Sequence, residues 1–180
     1  VTNQLNRMWN HDSGVTPATN LYEEDVKFCG TYETECIADQ MISMKQGMKV
    51  LGMMHKNPIY MQNDISVFID NKCSDNALAE KLTMTGPLAI KNDVAKSAEY
   101  TVEKVTVLFG LEAAVAAFTC TEPLEVNKEY DITTLDCKDD EGKDPFEDLK
   151  KMIGEVQPMA ITFAEKYMKI DGEEPLILNR

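Results

Sequence analysis

Residues 28–36 read Phe-Cys-Gly-Thr-Tyr-Glu-Thr-Glu-Cys. Thr, Tyr and Cys favour an extended backbone. On a strand, successive side chains point to opposite faces. Gly30, Tyr32, Thr34 and Cys36 then share one face, and Cys29, Thr31, Glu33 and Glu35 share the other. The glutamate face belongs in water, so the Gly/Tyr/Thr/Cys face is expected to be buried. Cys29 and Cys36 fall on opposite faces and are not expected to bond to each other.

Similar short segments follow. Residues 41–54 (MISMKQGMKVLGMM) align Ile42, Met44, Met48, Val50 and Met54 on one face, with Gln46 the exception. A helical reading is opposed by Gly47 and Gly52, at about 1 kcal/mol each. Residues 64–73 alternate Ile65, Val67 and Ile69 against Ser66, Phe68 and Asp70, and DNKCSDN reads as a turn. Residues 78–90 are extended and are expected to end in a Gly-Pro turn. Residues 97–110 form a long strand carrying Tyr100, Val102, Val105, Val107 and Phe109. Residues 111–120 are ambiguous: their alanines favour helix, their place between strands favours extension. Residues 129–137 alternate imperfectly. A charged loop, KDDEGKDPFED, then leads to a helix expected at 145–156, with Asp144 as cap and Phe146, Leu149, Met152 and Ile153 at helical spacing. The remainder reads as strand, turn and strand. Short strands at regular spacing predict a mainly β, antiparallel barrel or sandwich with one helix in the C-terminal third. The expected organisation is an irregular segment over 1–27 and one domain over 28–180.

The chain has 180 residues and a formal net charge of −13, with a sequence pI near 4.5. One core suits this length. The acidity argues against nucleic acid, which recruits Lys and Arg to its phosphates, and against an anionic membrane. No apolar run reaches the roughly 20 residues of a transmembrane helix, so a soluble protein is expected. The chain opens on Val1 rather than Met, which is compatible with a matured product or a piece of a longer chain.

The five cysteines are Cys29, Cys36, Cys73, Cys120 and Cys137; the histidines are His11 and His55. Zinc needs closer ligand spacing. The even spread suits disulfides in a secreted or periplasmic protein, although five reduced, buried cysteines would also fit the sequence. Among several two-bridge schemes, Cys36–Cys73 and Cys120–Cys137 are expected, leaving Cys29 over.

A strand that opens with Gly-x-aromatic after an irregular segment resembles the first barrel strand of lipocalins and their calycin relatives. Here Gly30-Thr31-Tyr32 stands where that family has Gly-x-Trp. Lipocalins also carry a late arginine that packs across the aromatic and closes the barrel base. The resemblance implies that role for Arg180. It implies a barrel and an apolar ligand, and names no particular ligand.

Eleven methionines are present, six of them within 41–61: Met41, Met44, Met48, Met53, Met54 and Met61. Such a group suits core packing, an adaptable apolar pocket, or a copper(I) site with His55. The acidic stretch 136–148 lacks EF-hand spacing and reads as a solvated loop. No nucleophile elbow, phosphate loop or metalloprotease motif occurs. The expected function is non-enzymatic binding or transport of an apolar small molecule or lipid, without cofactor or metal. Tyr32, Met44, Met48, Ile65, Val67, Tyr100 and Val102 are the candidate lining. The alternatives are a β-rich module with a filled core that binds a protein partner, and a methionine-rich copper-binding protein.

Overall fold

A computed structural model describes residues 29–51, 59–92, 97–163, 166–171 and 176–180. Expectations placed on Met53, Met54, His55, His11 and the segment 1–27 lie outside these residues.

Among the described residues the first strands are β1 (Gly30–Glu33), β2 (Ile37–Asp39), β3 (Ile42–Leu51), β4 (Ile59–Phe68) and β5 (Leu78–Asn92). They continue with β6 (Ser97–Thr101), β7 (Lys104–Phe109), β8 (Thr119–Cys120), β9 (Glu129–Asp131), β10 (Cys137–Lys138), β11 (Val156–Phe163), β12 (Tyr167–Asp171) and β13 (Leu176–Asn179). The short helices are α1 (Glu112–Val115) and α2 (Glu147–Met152). Antiparallel pairing runs β1–β3–β4–β5–β6–β11–β12–β13 and returns to β1. The sheet thus closes into an eight-stranded barrel, the architecture implied by the resemblance. Closure removes the open edges that a flat sheet would expose.

β7 continues β6 after a break at Val102–Glu103. The long β5 pairs with β7 from Glu80 to Thr85 and with β6 from Leu88 onward. Gly86 and Pro87 lie at this changeover, inside a continuous strand; the expected Gly-Pro turn is absent. A Cβ at Gly86 would stand 1.7 Å from the Thr101 carbonyl oxygen, so only glycine allows the two backbones to approach. Pro87, which has no N–H to donate, sits where the neighbouring ladder is interrupted.

Other expectations also change. The first strand stops at Glu33; Thr34 is buried, but Cys36 is exposed rather than on the inner face. The stretch 111–120 divides into α1 and β8. The expected helix 145–156 shortens to α2, because Gly154, at φ +88°, ends it and its N–H donates to the Val102 carbonyl. Asp144 is not its N-cap as expected: Phe146 holds that position, and Asp144 instead accepts from the Phe146 N–H at 2.8 Å in the turn that precedes the helix. Beyond it come three strands, not two.

Residues 110–155 form a long insertion between β7 and β11. β11 pairs only with the β6 portion of its neighbour, and β9 takes the free edge of β7. The insertion brings Ile132, Leu135, Cys137 and Phe146 into the core. Phe109, Phe118 and Phe146 pack in sequence with tilted rings, their centroids 5.6 and 5.8 Å apart. Disulfides join Cys36 to Cys73 and Cys120 to Cys137, as expected. Cys29 belongs to neither. The second bridge links directly opposed residues of β8 and β10.

Candidate functional site: the inner face at the barrel mouth

The base of the barrel is packed. Gly30, Tyr32 and Arg180 meet there: a Cβ on Gly30 would lie 2.9 Å from the Arg180 Nε. The guanidinium stands 5.8 Å from the centroid of the Tyr32 ring and donates to the Cys29 carbonyl at 2.7 Å. Burial raises the pKa of the Tyr32 phenol, with Arg180 acting in the opposite direction. Above this lock the inner positions are Met48, Val50, Met61, Leu88, Tyr100, Val102, Met168 and Leu178, all buried.

Toward the mouth the inner face opens along three adjacent strands. On β3, Met48 and Val50 are buried, Gln46 is half-buried and Met44 is 39% exposed. On β4, Ile59, Met61 and Asn63 are buried, and Ile65 and Val67 are half-buried. On β5, Leu88 and Met84 are buried, and Leu82 and Glu80 are half-buried. Cross-strand register aligns these positions: Met44 opposes Val67, Gln46 opposes Ile65, Ile65 opposes Leu82 and Val67 opposes Glu80. On the far side of β5, Glu80 opposes Phe109, which is buried beneath the insertion. The result is a partly accessible inner wall on β3, β4 and β5, flanked by Phe109 on β7.

The candidate lining therefore divides. Met44, Ile65 and Val67 belong to this accessible wall. Tyr32, Met48, Tyr100 and Val102 lie in the packed interior below it. Of the methionine group, Met41 and Met44 are at the rim, while Met48 and Met61 are in the core.

Two polar features were not singled out as site residues. Gln46 donates through Nε2 to Asn63 Oδ1 at 2.9 Å, on the inner face. Glu80 takes an inner position, where burial raises its carboxyl pKa. Among the described residues its carboxylate has no hydrogen bond or ion pair. The available signal was a polar residue at an otherwise apolar alternate position: Gln46 in the series 42–50, and Glu80 before Leu82 and Met84. Deeper in, the Tyr100 hydroxyl is buried without a hydrogen-bond partner. Burial, followed by the nearby Tyr60, pushes its pKa well above the ordinary tyrosine range.

The rim is apolar. Ile37 and Met44 are paired across β2 and β3 and are 46% and 39% exposed. Met41, Ile42 and Ile69 are still more exposed. By contrast, the acidic loop of the insertion is bonded internally: Asp139 accepts from the Glu141 and Lys143 N–H groups, and Asp144 pairs with Lys150 at 2.7 Å. Among the described residues no group of three or more His, Cys, Asp and Glu side chains is arranged to hold a metal ion.

Comparison with protein-family models, curated proteins and solved structures finds no match to this chain. The class it defines is structural: a closed, eight-stranded antiparallel barrel with two disulfides. Such bridges point to an oxidising, extracytoplasmic compartment. Among the described residues no helix is long and apolar enough to cross a membrane.

Proposed function

We propose that this chain is an exported, lipocalin-like barrel that binds an apolar small molecule or lipid at its mouth. The observation that carries this reading is the burial gradient along β3, β4 and β5. The inner face passes from a packed base to accessible Ile65, Val67 and Leu82, beneath an apolar rim. Ligand sites are commonly concave and mostly apolar, with a few polar groups that fix orientation. Gln46, Asn63 and Glu80 would supply those groups. Ligand burial would contribute roughly 25 cal/mol per Å² of apolar surface removed from water.

A titration with the neutral fluorophore N-phenyl-1-naphthylamine tests the proposal. The expected result is saturable fluorescence enhancement, reversed by 1-decanol and lost in Ile65→Lys. An unresponsive, correctly folded wild-type protein would refute it.

A second reading, a secreted β-rich protein-interaction module, is favoured by the exposed rim alone. Met41 is 81% and Ile69 59% exposed, more than a ligand entrance requires. Under that reading Met41→Asp abolishes partner capture and leaves the fluorophore titration unchanged.

A further inference from the structure

The inner face carries charge of one sign near the mouth. Lys45 and Lys49 on β3, Lys81 and Lys91 on β5, Lys104 on β7 and Lys169 on β12 all occupy outward register positions. Four of these already pair with outward carboxylates: Lys45 with Glu33, Lys81 with Asp64, Lys91 with Glu99 and Lys169 with Asp171. Arg180 points inward, but at the base, where it is engaged with Cys29 and Tyr32. Glu80 takes a half-buried inner position, between Val67 on β4 and Phe109 on β7, whereas Asp39, opposite Ile42 at the rim, is exposed.

A half-buried carboxylate without a partner is costly. It is relieved by a cation that enters the barrel mouth and donates to it, since charge-assisted hydrogen bonds are the stronger kind. An anionic head group would meet only repulsion there. The net charge of −13 acts in the same direction at longer range by drawing cations to the protein. Gln46 and Asn63, hydrogen-bonded to each other on the neighbouring strands, add neutral polar atoms to the same wall.

We propose that the ligand is an apolar molecule bearing a protonated amine, with its hydrocarbon against Ile65, Val67 and Leu82 and its ammonium on Glu80. This rests on the mouth-binding reading above and narrows it to one ligand class. Fatty acids and other apolar anions are disfavoured.

Isothermal titration with three probes of equal chain length, decylamine, 1-decanol and decanoate, at neutral pH tests it. Wild-type protein should bind decylamine at least about tenfold more tightly than decanoate, a charge-assisted hydrogen bond amounting to about 1.5 kcal/mol or more. Glu80→Gln should erase that preference while decanol binding persists. Glu99→Gln, which removes an outward carboxylate, should leave the preference intact. Equal binding of all three probes, or an amine preference that survives Glu80→Gln, overturns the amine assignment and leaves the mouth-binding reading standing. Failure of every probe, decanol included, overturns both.

Discussion

The Arg180 guanidinium lies across the Tyr32 ring at 5.8 Å and donates to the Cys29 carbonyl at 2.7 Å, in space left by the missing side chain of Gly30. The last residue of the chain thereby ties the start of β1 to the end of β13. Arg180→Ala should lower stability by about 1–2 kcal/mol, the combined scale of an exposed cation–π contact and one charged hydrogen bond. Gly30→Ala should reproduce part of that loss by displacing the guanidinium. Urea unfolding of both variants measures this; an unchanged midpoint for Arg180→Ala would remove the lock from the account.

Gly86 makes a sharper demand on the backbone. Gly86→Ala places a Cβ 1.7 Å from the Thr101 carbonyl oxygen, so β5 and β6 must separate. The expected cost is about 3 kcal/mol or more, within the range of severe backbone effects. Gly142→Ala is the control: its φ is +79°, but no atom lies within 4 Å of the added Cβ. There only the left-handed backbone penalty applies, about 1 kcal/mol. Thermal melts should rank the two in that order.

The two disulfides close loops of different length. Cys120 and Cys137 are 17 residues apart, and Cys36 and Cys73 are 37 apart. Chain entropy gives about 3 kcal/mol for the first and about 4 kcal/mol for the second. Paired Cys→Ser replacements, compared in guanidinium unfolding, should lose stability in that order. Thiol titration of the denatured, unreduced protein should find one group, Cys29; a count of five would refute both bridges.

The buried Tyr100 hydroxyl has no hydrogen-bond partner, so its desolvation is uncompensated. Tyr100→Phe should therefore stabilise the ligand-free protein by about 1 kcal/mol. Chemical denaturation at neutral pH is the check, and a loss of stability would show that the hydroxyl is satisfied in solution.

Glu80 makes stability depend on pH in a defined direction. Burial raises its folded-state pKa above the unfolded value, so between the two values the folded chain holds more protons. Stability from this group falls as pH rises through that interval, and the penalty is fully present above the folded pKa. Glu80→Gln should raise the melting temperature at pH 7 by a few degrees. The gain should shrink as pH falls toward the ordinary glutamate range. A pH-independent gain would place the effect elsewhere.

Much of the barrel was legible because strand alternation is local. Tyr32, Met48 and Val50 occupy the buried face that period-two patterning gave them, and Tyr100 and Val102 are buried as well. Both disulfides followed the expected pairing. The Gly-Pro pair misled because turn chemistry and close backbone approach select the same residue. Gly86 reads locally as a turn, yet it serves a crossing between β5 and β6 that involves Thr101, fifteen positions away in the chain.

The accessible part of the inner wall could not be located from alternation alone. Periodicity assigns Met44, Met48, Ile65 and Val67 to inner faces without saying how deep each one sits. Depth depends on register between strands and on what caps the barrel. The insertion over 110–155 buries Phe109 on one side of β5, while Glu80, Val67 and Gln46 on the other remain accessible. A mainly β chain with a Gly-x-aromatic opening, cysteines suited to an oxidising compartment and an acidic composition are all legible in the sequence, since each depends on residue type and near neighbours. The folded chain brings Arg180 over the Tyr32 ring, as the resemblance implied, and it alone shows that the base is packed and that Glu80 faces inward at the mouth. Those features are set by contacts between distant segments, which no local pattern encodes.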